Sequence, residues 1–309
     1  MKIGIQVPNF GDNVASRDGL LRVTKASEDM GFDSVWVVDH TILPKPDDVY
    51  GYGKTYYQPF VSLGFIAGIT NTIKIGTSIL VVPNHNPLIL AKAISTADQL
   101  CDGRLICGIG LGAFQTEFEY LGIPFNQRGS RTDESLRIMY ELWDSEDPSF
   151  KGRYWSFENL YFLPKPIQRP RPPVWVAGSS DAAIRRSVVL GDGWHPSFVP
   201  PETIKEGVDK IRKVATDENR NLNEITISTR AFTKFTAASQ GDSSNLIGTA
   251  DEMIARIADF QAVGVGHIVI DLFIGVPDNE KVTVDDMLGT MEQLAEKVLP
   301  NIDKSDPSL

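Results

Sequence analysis

Short apolar segments alternate with amphipathic segments along most of this 309-residue chain, and no other feature limits its fold so strongly. The apolar segments are continuous runs rich in β-branched and aromatic residues, which is typical of strands buried on both faces of a parallel sheet. The segments between them carry apolar residues at helical spacing. This alternation predicts an α/β protein in which helices cover a parallel sheet.

Eight strand and helix units can be counted in the alternation. The predicted strands are residues 2–8, 34–39, 74–82, 105–111, 174–177, 193–195, 226–232 and 267–271. The predicted helices are residues 17–30, 59–69, 87–100, 132–143, 181–190, 201–216, a segment opened by a capping box at 249–252, and 284–299. Eight units at this length favour a closed (β/α)8 TIM barrel over an open doubly wound sheet, with residues 1–309 as a single domain.

Insertions interrupt the alternation at four places. Residues 144–171 are rich in aromatic residues and proline, which predicts a small β-hairpin inserted before strand five and not a linker between domains. Longer loops follow strands two, four and seven, at residues 41–58, 114–129 and 236–248. Because the loops after the strands surround the active site of a TIM barrel, we expect these three loops to shape any substrate pocket.

The charge of the chain excludes several classes of partner. With 40 acidic and 30 basic residues, the net charge is -10, which repels nucleic acid and anionic membrane surfaces and favours a small-molecule partner. No apolar run is long enough to cross a membrane, and the first residues do not resemble a signal peptide. These features predict a cytoplasmic protein.

The cysteines and histidines match no disulfide or metal-binding pattern. Cys101 and Cys107 are the only cysteines, and we expect them to be core thiols. The four histidines, at positions 40, 85, 195 and 267, are far apart in the sequence, and no hydrolase or metal-ligand motif contains them. We therefore predict no metal site.

A carboxylate and an imidazole follow the second predicted strand. Asp39 and His40 stand where the active site of a TIM barrel lies, and histidine titrates near neutral pH. Two interpretations stay open. His40 transfers a proton in a reaction, or Asp39 caps a turn and His40 is a polar residue of the rim.

Glycines interrupt the third and fourth predicted strands. Gly108, Gly110 and Gly112 have no helix directly after them, which argues against a dinucleotide-binding fingerprint. Either a flat ligand approaches the backbone there, or the strands pack tightly. Gly76 lies late on the third strand, just before Ser78, where glycine is typical of a bulge or of a ligand close to the backbone.

A turn of small residues joins the fifth strand to its helix. Gly178, Ser179 and Ser180 separate the apolar run from Asp181. Either serine can cap the helix, and the unpaired N–H groups of a helix start can bind phosphate. Taken alone, these residues fit an ordinary cap as well as a phosphate site.

Aromatic residues near the predicted strand ends suit a wide, planar, apolar ligand. They are Phe10, Tyr56, Tyr57, Phe114, Trp194 and Phe198. Each of them, taken singly, also fits the core or the rim of the barrel.

With these residues in place, the sequence resembles the bacterial luciferase-like superfamily of flavin and deazaflavin oxidoreductases along nearly its whole length. The similarity is strongest in residues 74–112 (KIGTSILVVPNHNPLILAKAISTADQLCDGRLICGIGLG) and 152–180 (GRYWSFENLYFLPKPIQRPRPPVWVAGSS), with GFDSVWVVDH and LGDGWHP in support. Within the superfamily, the chain is most similar to the coenzyme F420-dependent branch. The resemblance implies a (β/α)8 barrel that holds its cofactor in the barrel mouth, and a homodimer.

The resemblance also implies roles for individual positions. His40 matches an acid or base beside the reacting ring, and Asp39 matches its neighbour in the cofactor site. Ser78 and Ile79 match the place of a non-prolyl cis peptide behind the ring. The turn at 178–180 becomes the expected phosphate site. The remaining residues expected to bind cofactor are Gly110, Leu111, Gly112, Ala177, Gly178, Ser179, Ser180 and Trp194.

The sequence departs from the F420-dependent glucose-6-phosphate dehydrogenases of this superfamily at one informative position. Those enzymes carry a glutamate directly after the fourth-strand glycines, where this chain has Ala113. Glu117 follows four residues later. We therefore do not expect oxidation of a sugar phosphate, and we expect Glu117 to lie on the exposed side of a turn or helix.

These features predict an F420-dependent oxidoreductase that transfers a hydride between the deazaflavin ring and a small organic substrate, with His40 handling a proton. One alternative is an FMN-dependent monooxygenase served by a separate reductase. Another is a barrel that binds flavin or deazaflavin without catalysis. Because F420 carries a polyglutamate tail, a basic approach beside the 178–180 turn would favour F420, and Arg185 and Arg186 are the nearest candidates in the sequence.

Overall fold

Eight parallel strands close into a barrel in the computed structural model, which describes residues 1–43, 45, 53–237, 241, 243–273, 281–305 and 307. The strands are β1 (Lys2–Gln6), β2 (Ser34–Val37), β3 (Lys74–Thr77), β4 (Leu80–Val81), β5 (Leu105–Gly110), β6 (Phe150–Lys151), β7 (Ser156–Phe157), β8 (Val174–Val176), β9 (Gly193–Trp194), β10 (Thr226–Phe235), β11 (Leu246–Gly248) and β12 (His267–Asp271). The order around the barrel is β1, β2, β3, β5, β8, β9, β10 and β12, and β12 pairs with β1. The predicted (β/α)8 fold is confirmed.

The helices are α1 (Arg17–Asp29), α2 (Pro59–Ile69), α3 (Pro87–Leu100), α4 (Gln115–Tyr120), α5 (Arg128–Asp144), α6 (Asp181–Val189), α7 (Pro201–Asp217), α8 (Ala250–Ala262) and α9 (Val284–Lys297). Side-chain caps account for several starts that the sequence predicts correctly. Thr249 and Glu252 form the capping box of α8, and the Ser180 hydroxyl accepts the Ala183 N–H at the start of α6. Helix α5 begins at Arg128, one turn earlier than predicted.

Helix α4 is a correction to the expectation that no helix directly follows the fourth-strand glycines. It begins at Gln115, three residues after Gly112, and no side chain caps its first turn. A helix of six residues is too short to be stable alone. Burial of Glu117 and Phe118 against the barrel holds it in place, so no local signal predicts it.

The predicted third strand is interrupted. β3 ends at Thr77, β4 begins at Leu80, and the peptide bond between Ser78 and Ile79 is cis, as the resemblance implied. β3 pairs with the first half of β5, and β4 pairs with its end. The interruption therefore places Ser78 and Ile79 at the carboxyl ends of the strands.

The hairpin insertion is confirmed, with β6 and β7 pairing antiparallel between α5 and β8. Cys101 and Cys107 are buried free thiols, as predicted. No helix in the described parts of the chain is long and apolar enough to span a membrane. The same residues contain no group of three or more His, Cys, Asp or Glu side chains placed to hold a metal ion.

A layer of large rings fills the interior of the barrel below its mouth. Trp36 stacks on His195 at 5.7 Å between ring centroids and lies 5.3 Å from Trp175, and His267 contacts both indoles edge to face. Gly76 leaves room for this layer, because a Cβ there would lie 2.5 Å from the Trp36 indole. The glycine of the third strand thus makes space for a core side chain.

Candidate active site

A cavity of about 560 Å³ opens at the carboxyl ends of the barrel strands. It contains eleven of the twelve residues that the sequence predicts for the site. They are Asp39, His40, Ser78, Ile79, Gly110, Leu111, Gly112, Ala177, Gly178, Ser179 and Ser180. The loops and strand ends that carry them meet here because parallel strands present all their carboxyl ends at one face of the barrel.

Trp194 is the predicted cofactor-binding residue that lies outside the lining of this cavity. Its indole is 1% exposed and donates its N–H to the Gly178 carbonyl at 2.8 Å. It packs on α7 at Gly207, where a Cβ would come within 2.0 Å of the indole. Trp194 therefore supports the 178–180 turn from behind and does not face the cavity.

His40 and Glu117 form a pair at the rim of the cavity. Nδ1 of His40 lies 3.3 Å from Oε2 of Glu117, whose side chain is 1% exposed against 19% for His40. Oε1 of Glu117 accepts the N–H groups of Thr41 at 2.9 Å and Ile42 at 3.3 Å. The expectation that Glu117 lies on an exposed surface is therefore wrong. Glu119, two residues on, is the exposed glutamate of α4.

Glu117 is held ionised in spite of its burial. Burial alone raises the pKa of this carboxyl, but the hydrogen bond and charge of His40 and the N–H groups of Thr41 and Ile42 outweigh burial and bring the pKa below its usual value. Because an ionised carboxylate only accepts hydrogen bonds, Nδ1 of His40 carries a proton in this contact. Nε2 is then the nitrogen of His40 that can exchange a proton at the rim.

Asp39 faces away from His40 and is engaged by His85, a residue that the sequence did not single out. Oδ2 of Asp39 lies 2.6 Å from Nε2 of His85 and accepts the Val81 N–H at 2.9 Å. The Asp39 side chain is 2% exposed. Asp39 thus ties the end of β2 to β4. Asp39 accepts a backbone N–H, as one of the two open interpretations had it, while His40 lines the cavity. Proton transfer by His40 stays a prediction.

The wall beside Ser78 is built by close packing of β3, β4 and β5. A Cβ on Gly108 would lie 1.9 Å from the Thr77 carbonyl oxygen, and one on Gly110 would lie 2.6 Å from the Ile79 side chain. Gly112 adopts a φ of +74°, which favours glycine. Tight packing therefore accounts for these glycines, and Gly110 and Gly112 in addition leave the cavity wall flat.

A buried ion pair supports the same wall from below. Arg230 on β10 pairs with Asp271 on β12, with 3.0 Å between Nε and Oδ2, and both side chains are buried. Nη1 of Arg230 donates to the Ser78 carbonyl at 2.9 Å, while Ser78 Oγ lies 2.9 Å from Nε2 of His195. The arginine side chain also lines the cavity. Both partners stand at strand ends, but no sequence motif marks them as a pair.

Small residues at a helix start and one arginine line the same cavity. Gly178, Ser179 and Ser180 lie at the start of α6, and Arg128 is among the other lining residues. The Arg128 guanidinium stacks 3.8 Å above the Phe125 ring and donates to the Phe125 carbonyl, and its buried Nε has no partner among the described residues. A cationic side chain next to a helix start suits a phosphate.

The two arginines that the sequence proposed beside the 178–180 turn are used elsewhere. Arg185 pairs with Glu218 at 2.7 Å, and Arg186 pairs with Asp133 at 2.5 Å. Neither lines the cavity. Arg128, which lines the same cavity as the turn, lies 50 residues before it in sequence and could be found only once the chain had folded.

Four aromatic side chains also line the cavity. They are Phe10, Tyr56, Phe114 and Phe198. Tyr56 and Phe114 also contact the His40 ring, at 5.2 and 5.3 Å between centroids. Tyr57, a further candidate from the sequence, does not line the cavity. Of the loops expected to shape the substrate pocket, residues 44, 46–52, 238–240 and 242 lie outside the described residues.

This protein is a TIM barrel with an open cavity at its strand ends, lined among others by His40, Arg128 and the 178–180 turn. The chain belongs to the luciferase-like monooxygenase family, whose sequence profile matches residues 1–240. The resemblance inferred from the sequence is thereby confirmed.

Proteins similar in sequence to this chain include oxidoreductases that depend on FMN and others that depend on F420. An FMNH2-dependent dimethylsulfone monooxygenase of Pseudomonas putida is 29% identical over 269 residues, which cover 81% of this chain and 72% of that protein. An F420-dependent glucose-6-phosphate dehydrogenase of Amycolatopsis mediterranei is 28% identical over 242 residues, which cover 74% of this chain and 69% of that protein.

The fold is shared with solved structures. A monooxygenase from Streptomyces bottropensis superposes with a TM-score of 0.84 at 23% sequence identity, over 97% of this chain and 99% of that one. At this identity the likeness shows a common fold. Relatives of both the flavin and the deazaflavin kind are therefore known for this barrel.

Proposed function

We propose that this protein is an F420-dependent oxidoreductase that transfers a hydride between the deazaflavin ring and a small organic substrate. The His40–Glu117 pair is the observation that carries this proposal. Removing a hydride from an alcohol leaves a proton to be taken up, and adding one to a double bond requires a proton to be supplied. A rim histidine backed by an ionised carboxylate serves either direction.

The cavity fits a deazaflavin or flavin cofactor in shape and chemistry. Ser78, Ile79 and Gly110 line one wall, and the four aromatic side chains that line the cavity suit a planar ring. Arg128 and the 178–180 turn suit the cofactor's phosphate, and the unpartnered Nε of Arg128 is a donor available to it. When bound, F420 supplies two-electron hydride chemistry at its ring.

The protein's own residues would position the reactants and manage one proton. Glu117 orients His40 so that Nε2 gives or receives the proton at the rim. Tyr56 and Phe114 flank the imidazole and limit the access of water to it. Arg230 fixes the Ser78 carbonyl, and Asp39 fixes β4, so the wall keeps its shape during turnover.

The test is a titration of the purified protein with F420 and with FMN, followed by single turnover of the reduced cofactor. The proposal expects tight binding of F420 and oxidation of reduced F420 by an organic acceptor without oxygen. His40→Ala should keep the cofactor affinity and lower turnover by roughly a hundredfold or more, the usual loss on removing a general acid or base. Tight binding of FMN with none of F420 would overturn the cofactor assignment.

An FMN-dependent monooxygenase served by a separate reductase is the second candidate, because the dimethylsulfone monooxygenase relative depends on FMNH2. Oxygen-dependent turnover of reduced FMN is the result that would establish it. A barrel that binds cofactor without catalysis would bind F420 and show no turnover with any acceptor.

We further propose that the protein is a homodimer whose contact includes the outer faces of α2 and α3. Val61 on α2 is 73% exposed and Ile89 on the neighbouring α3 is 69% exposed, and a second copy of the chain packed on these helices would cover both apolar side chains. Sedimentation equilibrium measures the mass in solution, and Ile89→Asp should yield a monomer.

A further inference from the structure

We infer that arginines of α5 and of the β6–β7 hairpin bind the carboxylates of an oligoglutamate tail that leaves the cavity at its phosphate end. The inference rests on the proposed F420 dependence, because F420 continues past its phosphate into a chain of glutamates. Arg131 and Arg153 are the residues assigned to this tail.

Arg128, Arg131 and Arg153 have no acidic partner within 4 Å in the part of the chain that the structure describes. This is unexpected in a chain with ten more acidic than basic residues, where most other buried or half-buried arginines pair with a carboxylate. Three unneutralised guanidinium groups in one region attract a polyanion.

Two of these arginines, Arg131 and Arg153, contact one tyrosine. The guanidinium of Arg131 lies 4.4 Å from the centroid of the Tyr154 ring and that of Arg153 lies 5.1 Å from it. The Tyr154 hydroxyl is 2.7 Å from Ser130 Oγ, and Arg131 Nε donates to the Gln127 side chain at 3.2 Å. The stacked arrangement fixes two cations at the surface with most of their N–H donors still available.

A buried glutamate holds the hairpin against α5. Glu134 accepts the backbone N–H groups of Arg153, Tyr154 and Trp155, each at 2.8 Å. Its carboxylate is therefore occupied by backbone donors and does not pair with the Arg153 side chain. The hairpin insertion thus brings Arg153 to the first turns of α5.

The arginines form a connected series that starts at the cavity. Arg128 lines the same cavity as Ser179 and Ser180, and Arg131 follows one turn later on the same helix, so the two side chains are neighbours on its surface. Arg131 and Arg153 contact the same Tyr154 ring. A phosphate at Arg128 would place the following carboxylates along Arg131 and Arg153, and guanidinium groups bind carboxylates through paired N–H donors.

The test compares F420 carrying no glutamate with F420 carrying several, by direct titration at low and at physiological salt. We expect the long form to bind the wild-type protein roughly three- to fivefold more tightly for each exposed ion pair gained, with the advantage reduced by salt. The double variant R131Q and R153Q should lose this advantage and keep the wild-type affinity for the form without glutamate. R131K and R153K, which retain the charges, should keep part of the advantage.

Arg137→Gln is the control for either single variant, R131Q or R153Q, because Arg137 lies exposed on another face of α5 and its removal changes the net charge by one unit, as each single replacement does. Equal binding of the short and long forms to the wild-type protein would overturn the tail site while leaving the F420 dependence intact. Binding of neither F420 form, with FMN bound, would instead overturn the proposed function and the tail site with it. An equal loss in Arg137→Gln would reduce the effect to net charge and also overturn the site.

Discussion

Two adjacent residues at the end of β2 have different tasks. Asp39 is buried against His85 and the backbone of β4, while His40 stands at the cavity rim with Glu117 behind it. The acid–base function therefore depends on a carboxylate that is distant in sequence and not on the one beside the histidine. Glu117 does not itself line the cavity and would act through His40, so it is a positioning residue.

Glu117→Gln should lower turnover by less than the loss in His40→Ala, and it should shift the pH dependence. Because Glu117 has a pKa below its usual value, it carries a negative charge at neutral pH and loses that charge only in more acidic solution. The wild-type enzyme should therefore lose turnover at low pH as Glu117 takes up a proton, and Glu117→Gln should lack this acid limb of the pH–rate profile. The amide oxygen can still accept the Thr41 N–H, and F420 affinity should not change.

Glu119→Gln is the control for this prediction. Glu119 lies on the same helix, is exposed and interacts with Gln115 at 2.8 Å. It should behave as the wild-type enzyme does at every pH. If the two variants have the same kinetics and pH profile, Glu117 has no part in the reaction.

The contacts that could not be predicted from the sequence all join residues that are far apart in the chain. Glu117 pairs with His40 across 77 positions, Asp39 with His85 across 46, and Arg230 with the Ser78 carbonyl across 152. A carboxylate in a helix of six residues carries no local pattern that separates it from its exposed neighbour. Tertiary packing decides which glutamate is buried, so only the strand-end residues themselves could be predicted.

At the scale of elements, β5 is the strand on which the cavity wall depends. Its two glycines, Gly108 and Gly110, face β3 and the Ile79 side chain, and Gly112 just after the strand faces Val81 on β4. Each leaves the space that a neighbour fills. Gly108 is the most constrained of them, because the Thr77 carbonyl oxygen occupies the position of its missing side chain at 1.9 Å. The oxygen belongs to backbone and cannot turn away as a flexible side chain would.

Gly108→Ala should therefore force β3 and β5 apart and lower the free energy of unfolding by roughly 1–3 kcal/mol or more, the usual range for overpacking a core. Urea denaturation measures this loss. Gly289→Ala in the interior of α9 is the control, since no atom lies within 4 Å of the added methyl group. There the substitution should stabilise the protein by up to about 1 kcal/mol. If the two variants have the same free energy of unfolding, β3 can move away from the added methyl group without loss of stability.

Most element boundaries followed from local chemistry. Helices α2 and α3 begin at prolines where predicted, and α8 begins at its capping box. The division of the third strand had no such local signal, because Ser78 and Ile79 fit a continuous apolar strand as well as an interrupted one. It was expected from the resemblance alone, and packing against β5 and Arg230 accompanies it in the folded chain.

At the scale of the whole molecule, the barrel interior contains two neutral histidines. Burial first, and then the charge of Arg230, lower the pKa of His195 from 6.5 to about 3. Burial and the neighbouring His195 lower that of His267 to about 3 as well. The hydrogen bonds agree, because Trp36 can only donate to Ser34 Oγ, so the Ser34 hydroxyl is left to donate to Nε2 of His267.

These two histidines should make the barrel sensitive to mild acid. Between pH 6.5 and about 3 the unfolded chain binds protons on both rings and the folded chain does not, so stability is complete above pH 6.5 and falls as the pH is lowered. The free energy of unfolding should decrease by up to about 1.4 kcal/mol per pH unit for each histidine. Urea denaturation between pH 7.5 and 5 measures the slope in a range where carboxylates contribute little.

The titration of the rings themselves provides a check that does not depend on a foldable variant. In proton spectra of the native protein, the two buried imidazoles should show no change in the chemical shift of their ring protons from pH 7.5 to 5, because neither takes up a proton while the barrel is closed. If all four histidines titrate in that range with ordinary midpoints, the interior is not held neutral. The acid sensitivity would then have to come from elsewhere in the fold.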